Sequence, residues 1–122
     1  MSDLAGARRI ALSLPEAAEQ PHFDMASFRV RGKIFVTVPP DGTRLHVFVD
    51  PLEVEGYVAQ HPAAFEPLHW GDRLSGLRVN LAAAPAAVLA EVIEEAWRRK
   101  APKRLVAAFD QRPDSRRTRH GS

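Results

Sequence analysis

Arg29, Arg31 and Lys33 stand within five residues of one another in SFRVRGKIFVTV (27–38), with Gly32 inside the group. Guanidinium and ammonium groups at this density suit phosphate oxygens: they neutralise a nucleic-acid backbone and position a protein on it without reading base order. Lys103 and Arg104 would add to the same field if the chain brings them to the same side. The competing reading is a solvated hairpin face, because exposed lysines and arginines are common and surface charges contribute little to stability. Which face Arg29 shares with Lys33 depends on the loop length at Arg31-Gly32, which the residues leave open. Gly32 itself needs no ligand to explain it, since a tight turn calls for a positive φ.

A second constellation pairs histidine with an aromatic neighbour: His22-Phe23 and His69-Trp70. Both pairs fall in segments without clear periodicity, and together they could line one ligand cleft, with histidine as a proton carrier near neutral pH and Trp70 as a stacking platform. The alternative is loop histidines held by backbone groups and a Trp70 that serves the core. No two of the five histidines show the i, i+4 spacing of a helical metal site, and no HExxH is present. Glu16, Glu19 and Asp24 cluster but lie on no regular helix face, so Glu19 reads as a cap or an arginine partner rather than a metal ligand. There is no cysteine, which excludes disulfides, thiolate metal sites and thiol nucleophiles. Glycine-rich phosphate loops, GxSxG and dinucleotide fingerprints are also missing. Nothing supports catalysis, and no cofactor or metal is implied.

The elements that must position these residues follow from periodicity. DLAGARRIALSL (3–14) places Leu4, Ala7, Ile10, Ala11 and Leu14 at helical spacing, with Asp3 as cap and Pro15 as terminator. PEAAEQPHFDMA (15–26) reads as a connection with two prolines and no period. SFRVR, KIFVTV and RLHVFV are strands, and PPDG at 39–42 is a turn between the last two. In this hairpin Ile34, Val36 and Val38 are expected on one face and Leu45, Val47 and Val49 on one face. Asp50-Pro51 starts a short helix over 51–60, which buries Leu52 or Val54 with Tyr57 and Val58. FEPLHWGD reads as an irregular strand or loop, and LSGLRVNLA (74–82) as a half-buried strand. Pro85 opens a long helix with Val88, Leu89, Val92, Ile93, Ala96 and Trp97 buried, and KRLVAAF (103–109) adds one or two turns. The order predicts an α+β domain over residues 1–110, an antiparallel sheet with helices packed on one face.

The length of 122 residues suits one domain, and 45% apolar with 26% charged residues is ordinary for a globular chain. No apolar run approaches the roughly 18 residues of a membrane span, and no secretory signal precedes the first helix. These features read as a cytoplasmic protein, monomer favoured. The net charge of +2 conceals an asymmetry. Residues 98–122 carry nine Lys/Arg against Asp110 and Asp114, a net of +7, and residues 1–97 carry eight basic and thirteen acidic side chains, a net of −5. The stretch 111–122, QRPDSRRTRHGS, has no apolar anchor and reads as a basic, disordered tail.

LSLPEAAEQPHF, SFRVRGKIFVTV, HPAAFEPLHWG, VNL and EEAWRRKAPKRL, taken in order, resemble the MmcQ/YjbR family. The resemblance runs from about residue 8 to residue 109. Leu14-Pro15 with Glu19, Phe28 with Gly32-Lys33 and Phe35, and Glu95-Ala96-Trp97 with Ala101-Pro102-Lys103 carry most of it. It implies a fold similar to that of CyaY, the bacterial frataxin, with a double-wing arrangement, and a DNA-binding role. The chain departs from the more usual members where Ala96-Trp97 replaces a serine-rich segment with a tyrosine. The frataxin-like fold also suggests iron on an acidic ridge, but the first helix offers Asp3 alone among carboxylates, with Arg8 and Arg9 beside it, so iron is rejected. The expected function is binding of double-stranded DNA with low sequence specificity, with Arg29, Arg31, Lys33, Lys103 and Arg104 on phosphates. The alternative is a protein- or small-ligand-interaction domain with a cleft near His22, Phe23, His69 and Trp70.

Overall fold

The computed structural model describes residues 2–111. Along the chain run α1 (Leu4–Leu12), β1 (Ala17–His22), β2 (Met25–Val30), β3 (Lys33–Val38), β4 (Arg44–Val47), α2 (Pro51–Gln60), β5 (Phe65–Trp70), β6 (Arg73–Asn80), a short 3-10 turn (Leu81–Ala83), α3 (Ala86–Lys100) and α4 (Lys103–Gln111). The six strands form one antiparallel sheet in the order β1-β2-β3-β4-β6-β5. This is the expected α+β architecture. Apart from Gln111, which ends α4, the tail expected over 111–122 lies outside the described residues.

The helices begin where their caps dictate. Asp3 accepts a hydrogen bond from the Gly6 amide at 2.8 Å, and Asp50 accepts one from the Leu52 amide at 3.0 Å with Pro51 in the first turn. α1 buries Ala7 and Ala11, and α3 buries Leu89, Val92, Ile93, Ala96 and Trp97, the stripe that helical spacing predicts. In α2 the choice between Leu52 and Val54 falls to Val54, which is buried, while Leu52 is 88% exposed. Trp97 is fully enclosed: its indole N–H donates to the Pro15 carbonyl at 3.0 Å, and its ring meets Phe109 edge-on at 5.1 Å. Tyr57 donates to Glu91 at 3.2 Å and so ties α2 to α3.

Two segments differ from expectation. Residues 17–22, read as a connection, form strand β1, and residues 65–70, read as an irregular strand or loop, form strand β5. Both lie at sheet edges and both contain proline, Pro21 and Pro67. An edge strand has no second neighbour for its outward amides, so a proline costs it no ladder bond. Exposure hides the strand period as well, since residues 18–21 of β1 are all exposed.

Cross-strand pairing divides the sheet into two faces. On one, Phe28, Val36, Val47 and Leu77 stand opposite one another in successive strands and are buried in the core. On the other, Gln20, Ser27, Thr37, His46, Arg78 and Glu66 form an unbroken row across all six strands. Ser27 and Thr37, both in this row, are the buried polar residues of the described chain. The expectation that Ile34 shares a face with Val36 and Val38 is corrected by a bulge. Phe28 pairs with Val36 but Arg29 pairs with Ile34, so Phe35 is an extra residue and Ile34 joins the polar face.

Candidate functional site

Three tight turns set the site. Arg31 (φ 52°) and Gly32 (φ 80°) form a two-residue turn between β2 and β3 with both residues left-handed, the combination that matches strand twist. The outer hairpins β1–β2 and β5–β6 turn at Phe23-Asp24 and Gly71-Asp72, with Phe23 at φ 58° and Gly71 at φ 59°. Phe23 thus occupies the position that glycine takes in the other outer hairpin. A bulky side chain there is strained, and burial does not explain it, because Phe23 is 91% exposed.

The tips of both outer hairpins and the C-terminal end of α3 meet at one open cleft of about 500 Å³. His22 and Met25 come from the first tip and Trp70 from the other. Arg29, Lys33, Ile34 and Thr37 come from the central strands, Gly32 from the β2–β3 turn, and Lys100 from the last turn of α3. Phe48 completes the wall. Its place is fixed by backbone: Arg99 donates to the carbonyls of Phe48 and Val49 at 3.3 and 3.2 Å, and a side chain at Gly76 would lie 2.4 Å from the Val47 carbonyl oxygen. Gly76 is therefore required by the close approach of β4 to β6.

Charge partners separate the cations. Arg31 is paired with Glu16, Arg8 with Glu19 at 2.8 Å, Arg78 with Glu66 at 3.0 Å, and Arg98 with Glu94 and Asp110 at 3.1 and 2.6 Å. Arg29, Lys33 and Lys100 have no carboxylate within salt-bridge distance among the described residues. Arg29 donates instead to neutral acceptors, the Ser27 hydroxyl at 3.1 Å and the Pro21 carbonyl at 3.2 Å, so its charge is held in place but not cancelled. Burial and then the positive charges of Arg99 and Lys33 push the Lys100 amine below its ordinary pKa. Burial and Arg78 likewise lower the pKa of His46, which favours its neutral form. Thr37 is 4% exposed, and its hydroxyl has no hydrogen-bond partner. Buried hydroxyls are normally satisfied, so this one, closed off from solvent, is an unsatisfied polar group behind the cleft wall.

The expected site residues thus sort into new groups. Arg29 and Lys33, expected on a basic hairpin, and His22 and Trp70, expected at a separate ligand cleft, line the same cleft. Phe23 stands at its rim, its ring edge-on to His22 at 4.8 Å. His69 lies elsewhere, in a groove beside α2 with Pro51, Val54, Val58 and Leu74. Arg31 is engaged with Glu16. Lys103 and Arg104 are exposed on the first turn of α4 and do not line the cleft. Sequence reasoning misses Lys100 and Thr37: Lys100 reads as a helix-dipole charge, and nothing local marks Thr37. Among the described residues no three metal-ligating side chains come together, and no helix is long and apolar enough to cross a membrane.

No curated protein matches the sequence. Among solved structures, the chain is similar to the crystal structure of the Deinococcus radiodurans protein DR2400, of domain family DUF419. The TM-score is 0.68 at 21% identity, over 99% of this chain and 89% of that one. That likeness concerns the fold. A model of the YjbR family matches residues 12–99, a span that contains the whole sheet and most of α3, and the chain belongs to the YjbR family.

Proposed function

We propose that the protein binds nucleic acid, with DNA as the natural first probe, through phosphate contacts and with little dependence on sequence. The observation that carries this reading is the meeting at one cleft of three cations without carboxylate partners among the described residues, Arg29 and Lys33 from the β2–β3 hairpin and Lys100 from the distant end of α3. Lys33 and Lys100 are close enough for their repulsion to lower the Lys100 pKa. Like charges held together without counter-charges form an attractive site for a polyanion, whose binding releases condensed counterions. Arg31 contributes less than its position in the sequence suggests, because Glu16 already occupies its guanidinium.

The test is fluorescence anisotropy with labelled DNA across a salt series. Affinity should fall steeply as salt rises, and the Lys33→Ala/Lys100→Ala double variant should reduce the log–log slope by about 2, near one for each cation removed from a phosphate. Absence of binding at low salt, or a slope unchanged in the double variant, refutes the reading. The cleft's volume also lies in the range of small-molecule sites, which favours a small anionic ligand as the second reading.

A further inference from the structure

The cleft holds more than charge. Of the four large hydrophobic side chains that are exposed among the described residues, two, Phe23 at 91% and Trp70 at 61%, stand at the tips of the two outer hairpins; Trp70 lines the cleft, and Phe23 meets the lining residue His22 edge-on. Phe23 keeps its place despite a left-handed backbone that glycine would occupy without strain. Between the tips lie the apolar side chains of Ile34 and Phe48, beside Met25 of the first tip.

Duplex DNA makes no use of such a surface. Its bases are stacked on one another, and its phosphates need cations rather than aromatic rings. An unpaired base uses all of it. Its face stacks on an aromatic ring, and its phosphate meets the surrounding cations.

Building on the nucleic-acid reading above, we infer that the strand is taken single, with one unstacked nucleotide seated in the cleft. Its base lies against Trp70, its phosphate is held by Arg29, Lys33 and Lys100, and Phe23 receives a neighbouring base.

The experiment compares three probes at fixed low salt: a labelled oligothymidylate of about 12 nucleotides, a mixed-sequence duplex of the same length, and thymidine monophosphate as competitor. The single strand should bind more tightly than the duplex and far more tightly than the mononucleotide. Trp70→Ala should weaken single-strand binding about 5- to 100-fold, and Trp70→Phe should restore most of it. Neither variant should disturb folding, because Trp70 is mostly exposed. A duplex that binds as well as the single strand, or a Trp70→Ala variant that changes affinity less than twofold, overturns the single-strand inference and leaves phosphate-driven binding standing. A mononucleotide that binds as tightly as the oligomer overturns the strand as occupant. No binding of either DNA form, with or without capture by anionic vesicles, overturns both proposals.

Discussion

Phe23 shows how one residue can be at odds with stability and still be informative. At φ 58° a side chain of this size is strained by about 1–3 kcal/mol, and Phe23 contributes nothing to the core. Phe23→Gly should therefore stabilise the protein in chemical denaturation by up to about 1 kcal/mol, after the extra entropy of glycine in the unfolded chain is offset. The same change should weaken oligonucleotide binding. A loss of stability would mean that the ring packs against the fold after all. Lys100 permits a second test at this scale. The charged groups that depress its pKa are Arg99 and Lys33, acting with burial. Lys33→Ala should raise the Lys100 pKa toward the ordinary lysine value without fully restoring it, because the larger cause, burial, remains. Side-chain NMR titration of the Lys100 amine reads this directly, and an unmoved titration would mean the two ammonium groups do not interact. A bound phosphate acts in the same direction as removal of the repulsion, so ligand binding should make Lys100 take up protons at alkaline pH.

At the level of elements, the sheet's outer hairpins are tied down by few groups. The Arg8–Glu19 pair fastens β1 to α1, and the Arg31–Glu16 pair fastens the β2–β3 turn to the segment before β1. The hydrogen bond from Arg8 holds the Glu19 carboxyl below its ordinary pKa of 4.5, and the one from Arg31 does the same for Glu16. A carboxylate whose folded pKa is depressed contributes stability that is complete above the unfolded value and is lost as pH falls through the folded one. Protection of the β1 amides, relative to their intrinsic exchange, should thus fall below about pH 4.5 before that of β3 and β4 does. Simultaneous loss of protection across the sheet would contradict this. Gly76 governs the other side of the cleft. A Cβ there meets the Val47 carbonyl and the Phe48 Cα, both backbone, so β4 and β6 must separate to accept it. Gly76→Ala should cost about 1–3 kcal/mol and displace Phe48 from the cleft wall, as denaturant midpoints and ligand affinity would show together. Sequence reveals these elements unevenly. α1, α2, α3, the β3–β4 hairpin and β6 follow from caps and periodicity. The edge strands do not, because Pro21 and Pro67 argue against strands and solvent exposure removes the alternation that betrays one. The bulge at Phe35 is equally silent in sequence, and it alone decides that Ile34 faces the cleft.

For the whole molecule, sheet order does what no local stretch can announce. The hairpins β1–β2 and β5–β6 are distant in sequence and lie at opposite ends of the strand order, yet both tips contribute to one cleft. Basic residues and aromatic–histidine pairs are therefore both visible in the sequence, but as two separate sites, and only the fold joins Arg29 and Lys33 to His22 and Trp70. The positive C-terminal region divides in the same way. Arg98 is neutralised by Glu94 and Asp110, Arg99 holds backbone, and Lys100 alone among these three faces the cleft. Net charge over a segment thus overstates what a ligand meets, and the location of unneutralised charge is the quantity that matters. The most direct test is a titration of isotope-labelled protein with a short single-stranded oligonucleotide, followed by amide and indole chemical shifts. The changes should concentrate at Arg29, Lys33, Thr37, Phe48, Lys100 and the Trp70 indole. Shifts centred instead on Lys103 and Arg104 of α4, or on the groove of Leu52, Val58 and His69 beside α2, would contradict the account.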